Sequence, residues 1–199
     1  MGKSHCQPYI SSGFERATRI AQGFHADFRG PFSCPTPQGF LFYLGIVDDK
    51  SRRLFPFLCK SVENWFDIWT NFVARIEAEL GRANCISWIL TDNGSIFKSA
   101  RMASFCASKG IIQRHSTPYG QFLDHTAERN MRTVGESALT TMLHGNMPKR
   151  AWGWAMLHAA DVLNRTTESA SSNNKAGTPS TFSRLERWKG RALPTQIKD

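Results

Sequence analysis

The stretch WILTDNGSIF, residues 88–97, decides the fold. Its first four residues, Trp88 to Thr91, are apolar or branched and read as a buried strand. Asp92 stands at the strand's end, followed at once by the turn dipeptide Asn93-Gly94. Taken alone, such an aspartate is a turn former. Taken with other acids, it is a carboxylate whose position a strand fixes beside an open, tight turn.

Outward from this strand, the pattern alternates between strands and helices. Towards the N-terminus, GFHADF (23–28) is short and apolar up to Asp27, and RGP breaks it. GFLFYLGIVDD (39–49) is rich in aromatic and branched residues and predicts a strand. Asp48 to Ser51 predicts a hairpin turn, and RRLFPFLCK (52–60) the returning strand, which Pro56 makes an edge or an interrupted one. Ser61 is an N-cap, and Val62, Trp65, Phe66, Trp69, Phe72, Val73, Ile76 and Leu80 follow helical spacing until Gly81 stops them.

Beyond Asp92, a short helix is expected over about 98–109, with Met102, Phe105 and Cys106 inward and Gly110 as its stop. IIQRH (111–115) predicts another strand, and STPYGQ a loop. A long helix is expected over about 124–144, with Ala127, Met131, Val134, Ala138 and Met142 as its buried stripe. The last runs over about 148–165, with Pro148 in its first turn. Trp65, Trp152 and Trp154 are expected in the core. The fold class is therefore α/β, with a mixed sheet: a hairpin portion, then strands joined by helical crossovers.

Three units are expected: an N-terminal spacer arm at 1–22, a folded core at 23–165, and a linker with a basic tail at 166–199. TTESASSNNKAGTPS has linker composition, and Arg184, Arg187, Lys189 and Arg191 form the basic cluster.

Lys plus Arg number 25 against 16 Asp plus Glu, a net charge of +9. Such an excess points to a polyanionic partner, nucleic acid before acidic membrane. The five cysteines are scattered and form no CxxC pair, which argues against a zinc ribbon or a disulfide framework and for a reducing, intracellular setting. No run approaches the length of a membrane span, and the first residues lack the apolar core of a secretory signal.

Asp27, Asp92 and Glu128 are the acids that this architecture can bring together. Asp27 and Asp92 lie on strands that can be neighbours, and Glu128 lies near the start of the long helix, with 35 residues between it and Asp92. Carboxylates so close resist ionising together, and a divalent cation relieves the repulsion. Oxygen-only ligands suit Mg²⁺, with Mn²⁺ as substitute, and two such ions about 3.5–4 Å apart can clamp an in-line displacement at phosphorus. Singly, each acid reads as structural: a turn former, or a glutamate serving the helix dipole. As a set, at this spacing, they read as a metal site.

HADFRGP (25–31), GIVDDKSRR (45–53), TDNGSIF (91–97), KGIIQRHSTPY (109–119) and AERNMRTVGESALTTML (127–143) together resemble the integrase catalytic core of retroviruses and retrotransposons, most closely the copia type. The resemblance covers about 5–165, with a fainter echo in TPSTFSRLERWKGRALP. It implies a ribonuclease H-like fold with a five-stranded mixed sheet flanked by helices. It also implies a polynucleotidyl transferase with two Mg²⁺ ions that trims the 3′ ends of element DNA and joins them to target DNA. Asp27, Asp92 and Glu128 match the family's metal ligands. Nuclear integration or a cytoplasmic particle is the implied location, element-end and target DNA the partners, and a homo-oligomer the assembly.

GKSHCQPY resembles the stretch just after the family's zinc-binding module, which suggests a piece of a longer polyprotein or a truncated copy. One departure stands out. Asp124 and His125 replace the usual Asn-Gly before the glutamate. Arg114, Tyr119, Arg129, Arg132, Lys149 and Arg150 are candidate DNA contacts, holding phosphates in a salt-dependent way. Their plainer reading is a solvated surface. His25 either orients Asp27 or is an ordinary strand histidine. The competing function is a domesticated or inactive domain that binds DNA or a partner without catalysis.

Overall fold

The computed structural model describes residues 16–116, 125–166 and 182–191. Five strands form one mixed sheet: β1 (Gly23–Arg29), β2 (Phe42–Asp48), β3 (Leu54–Cys59), β4 (Trp88–Thr91) and β5 (Ile112–His115), in the order β3-β2-β1-β4-β5. The first three pair antiparallel, and β1–β4 and β4–β5 pair parallel. Among the described residues five α-helices accompany them: α1 (Trp65–Leu80), α2 (Ala100–Lys109), α3 (His125–His144), α4 (Trp152–Arg165) and the short α5 (Arg184–Lys189). Every predicted strand and helix is present; β1 runs one residue further, to Arg29, and the other elements match or are shorter by one to a few residues at their ends.

Local chemistry sets the helix ends. Ser61 and Asn64 form a reciprocal capping box around a single 3-10 turn that leads into α1, and Gly81 ends α1 in the left-handed conformation, at φ 61°. Ser99 Oγ accepts from the Met102 N–H at the start of α2.

Strand alternation builds two cores. Phe24, Ala26, Leu44 and Ile46 face α1 and α2, where Trp65, Trp69, Phe72 and Ile76 fill the interior. On the opposite face, Tyr43, Val47 and Leu54 pack on Met131, Val134 and Ala138 of α3 and on Trp152, Ala155 and Met156 of α4. Gly45 lets α3 lie close: a Cβ there would sit 2.8 Å from Met131 Sδ.

Pro56 predicts an edge or an interrupted strand, and β3 is an edge strand. Its open side is partly closed by Asn164 of α4, buried at 8% exposure, which accepts from the Leu54 N–H at 2.9 Å and donates to the Leu54 carbonyl at 2.7 Å. Asn164→Ala strands both backbone groups and is expected to cost about 2–4 kcal/mol. Urea unfolding measures it, and a loss under about 1 kcal/mol would show that water replaces the amide.

Three expectations are corrected. The stretch 16–22, the described part of the expected spacer arm, is docked: Ala17 and Ala21 are buried, and their N–H groups donate to Asp49 Oδ2 at 2.7 Å and Asp48 Oδ1 at 2.8 Å. The tail likewise contains α5, whose Trp188 is 3% exposed within the α1-side core. Trp154 is 49% exposed and not a core residue, whereas Trp65 and Trp152 are buried as expected.

Candidate active site

Parallel pairing places the two aspartates side by side. His25 is the register partner of Leu90, so two residues further along each strand stand Asp27 and Asp92. They share one face, the α3 face, on neighbouring strands about 4.8 Å apart. Asp92 is anchored by an Asx turn, its Oδ1 accepting from the Gly94 N–H at 2.9 Å.

Glu128 enters from the first turn of α3. Burial first, then the charges of Asp92 and Glu128, pushes the Asp27 carboxyl up to about 6, against a bond from the Phe28 backbone and the charge of Arg29. The three acids thus share one electrostatic environment. They are not gathered into a cage. The Glu128 carboxylate is 60% exposed, and its Oε1 lies 3.1 Å from Arg132 Nη2. No three His, Cys, Asp or Glu side chains among the described residues are assembled to hold a metal ion. The donor set is nonetheless all oxygen, and the repulsion among its carboxylates is what a hard divalent cation would relieve.

The residues around Asp92 are stitched to β5. His115 Nδ1 lies 3.1 Å from Thr91 Oγ1 and 3.2 Å from the Asp92 carbonyl, and Asn93 Nδ2 donates to the Ser116 carbonyl at 2.5 Å. No sequence pattern marks this role, since nothing in a lone histidine reveals its partner across two strands.

His25 turns out to serve a different acid. It is fully buried, and its Nε2 lies 3.0 Å from Asp49 Oδ1, on which Arg16 and Arg52 also converge. Burial opposes ionisation of Asp49, but His25, the Ala17 N–H and Arg16 outweigh it and hold the carboxyl down at about 2. Asp48 accepts from both the N–H and the hydroxyl of Ser51. The predicted hairpin turn is thus also the clamp that holds 16–22.

The candidate DNA contacts divide. Arg129 and Arg132 are exposed on α3 beside Glu128. Arg114 is half-buried, its guanidinium 5.1 Å from the Trp88 ring centroid. Lys149 and Arg150 are exposed, but they follow the far end of α3, about 25 Å along the helix from Glu128. Tyr119 and Asp124 lie outside the described residues.

The mixed sheet in the order β3-β2-β1-β4-β5, with helices on both faces, is an α/β architecture of the ribonuclease H-like class. The chain belongs to the integrase core domain family, whose model matches residues 17–120. It is similar to the retrovirus-related Pol polyprotein from transposon TNT 1-94 of Nicotiana tabacum, 28% identical over 165 residues, and to that from transposon RE2 of Arabidopsis thaliana, 25% identical over 169 residues. Each alignment covers 83% of this chain but only 12% and 11% of those polyproteins, so the chain spans about an eighth of their length or less.

Two solved structures share the fold. One is a simian T-cell lymphotropic virus intasome in complex with the PP2A regulatory subunit B56 gamma, at TM-score 0.67 and 18% identity, covering 100% of this chain and 64% of that one. The other is the trimeric HTLV-2 integrase catalytic core domain in complex with magnesium, at TM-score 0.53 and 21% identity, covering 86% of this chain and 98% of that one.

Proposed function

We propose that this domain is a copia-type DNA strand transferase that trims the 3′ ends of element DNA with water and then joins the freed hydroxyls to target DNA. The observation that carries the reading is the placement of Asp27 beside Asp92, with Asp27 pushed up to about 6 by burial and by the charges of its acidic neighbours. Asp27, Asp92 and Glu128 would hold divalent cations. Such ions, when bound, supply Lewis acidity for the attacking and departing oxygens. Magnesium in the HTLV-2 catalytic core supports that assignment for this donor set.

The chain's own part is positional. The strands fix two carboxylates. The Asx turn keeps Gly94 small beside Asp92, where a Cβ would fall 3.0 Å from Asp92 Oδ1. Glu128 must leave Arg132 to join them, and that exposed i,i+4 ion pair contributes about 0.3–0.5 kcal/mol. Arg132, once released, and Arg129 would hold DNA phosphates near the acids, with Arg114, Tyr119, Lys149 and Arg150 along a longer tract. A homo-oligomer acting in the nucleus completes the proposal, since joining two ends together needs paired sites. The catalytic unit extends beyond 23–165 to include the docked stretches 16–22 and 184–189.

Incubation of supercoiled plasmid with Mn²⁺, beside an Asp92→Asn control, is the test. Nicking and joining that disappear with the substitution are expected. Oligonucleotides carrying matched element ends are expected to be joined in preference to random duplexes. DNA binding without cleavage under either ion would leave a non-catalytic DNA-binding domain.

A further inference from the structure

The basic stretch near the C-terminus folds back onto the helix that carries Glu128. Arg184, the first residue of α5, is only 9% exposed. Its Nη1 donates to the Arg52 carbonyl at 3.2 Å, in the turn between β2 and β3, and to Asn130 Oδ1 on α3. Asn130 is itself 6% exposed. One turn later in α5, Trp188 is locked into the opposite core, and its Nε1 donates to Glu79 Oε1 at 2.7 Å. The Ser183–Glu186 capping box fixes the start of α5, so Arg184 leaves it in a defined direction.

The position of Asn130 matters because of helical phase. Two residues along an α-helix are a rotation of about 200°, so Glu128 and Asn130 lie on opposite flanks of α3. Ala127 and Met131, both buried, mark the face between them that rests on the sheet. A pin on one flank fixes the rotation of the helix about its own axis, and with it the direction in which the other flank points.

We propose that Arg184 is a positioning residue: through Asn130 it fixes the rotation of the first turns of α3 and so aims Glu128 at Asp27 and Asp92. The inference rests on the metal-site reading for its functional consequence, but the pinning itself does not. A domain cut before α5 would retain all three acids and lose the element that sets the third.

The test uses the full chain with Arg184→Met, Asn130→Leu and Asn130→Asp, and with Trp188→Phe as a variant that loosens α5 without touching Asn130. Hydrogen exchange of the amides at 128–134, without metal, is expected to quicken about tenfold in Arg184→Met and Asn130→Leu. It is expected to stay near the parent rate in Asn130→Asp, which keeps an acceptor. Mn²⁺ affinity, read from the rise in melting temperature with ion concentration, is expected to fall about tenfold in the first two variants and to be retained in Asn130→Asp.

Unchanged exchange in Arg184→Met overturns the brace, whatever the metal does. Faster exchange with undiminished Mn²⁺ affinity overturns the link to Glu128. An equal loss of affinity in Trp188→Phe would also overturn it, because general loosening would then explain the effect. A parent chain whose melting ignores Mn²⁺ would instead defeat the metal-site reading, and the exchange rates would still judge the pin.

Discussion

Asp27→Asn is expected to make the protein more stable and chemically dead at once. At pH 7 and with divalent ions chelated, the variant should unfold later than the parent by about 1–3 kcal/mol. The upper figure follows from the shift of Asp27 from 3.8 to about 6, since each pKa unit is worth about 1.4 kcal/mol between the protonation states. The lower allows for what an amide loses at the Phe28 N–H. In melting temperature, this is about 2–4 °C per kcal/mol for a chain of this size.

The sign with pH follows from linkage. Between its unfolded value and about 6, the folded protein holds a proton on Asp27 that the unfolded chain has released. The parent should therefore gain stability as pH falls through 6, and the penalty should be complete above it. His25 works the other way. Burial lowers its pKa, so the folded state loses ground as pH falls below the ordinary histidine value. The raw curve of either protein is thus a sum. The difference between parent and variant isolates Asp27, and should shrink steadily from pH 7 to pH 4.

Added Mn²⁺ should reverse the ranking, stabilising the parent and leaving Asp27→Asn unmoved. Strand transfer should drop by at least about a thousandfold, because the acid is asked to act only when an ion is bound. A variant that melts below the parent at pH 7 in chelator would mean that the Asp27 charge supports the fold, and the site would lose its electrostatic signature.

Much of this was legible because it depends on period and order. Runs rich in apolar, aromatic and branched residues mark β2 and β4, helical spacing marks α1 and α3, and glycines mark the ends of α1 and α2. The neighbouring positions of Asp27 and Asp92 followed once the two strands were taken as adjacent. What stayed hidden depends on phase and on tertiary partners. Trp154 sits two residues from the buried Trp152, about 200° around α4, so helical periodicity should have placed it outward. Asp48 and Asp49 have turn composition and form a turn, yet their burial comes from Ala17, Ala21 and His25, which lie far off in sequence. The stretch after residue 166 has linker composition, and charge-rich RLERWK gives no apolar period long enough to betray a docked helix. Glu128 is legible as a residue and not as a rotamer: its bond to Arg132 is a local i,i+4 contact that competes with the distant one.

Trp188→Ala is expected to cost about 3–5 kcal/mol, the range for deleting a buried large aromatic, although the residue lies in a stretch that reads as tail. The ring is 3% exposed. It meets Phe55 edge-on with centroids 5.2 Å apart, and lies 6.4 Å from Phe24 at the start of β1. The Arg53 guanidinium lies 5.0 Å from its centroid and also bonds Glu79, so the indole, the arginine and the glutamate form one closed group. Alanine removes the ring and leaves a cavity between β1 and β3 that the rigid sheet cannot collapse to fill. Trp188→Phe keeps part of the volume and loses the bond to Glu79, so it should fall between, at about 1–2 kcal/mol. Ending the chain before residue 182 removes Trp188 together with Arg184 and should cost at least as much as Trp188→Ala. Equilibrium urea unfolding ranks the three. If the truncated chain matched the parent in midpoint and slope, α5 would be an ornament on a core complete without it, and its hold on α3 would go with it.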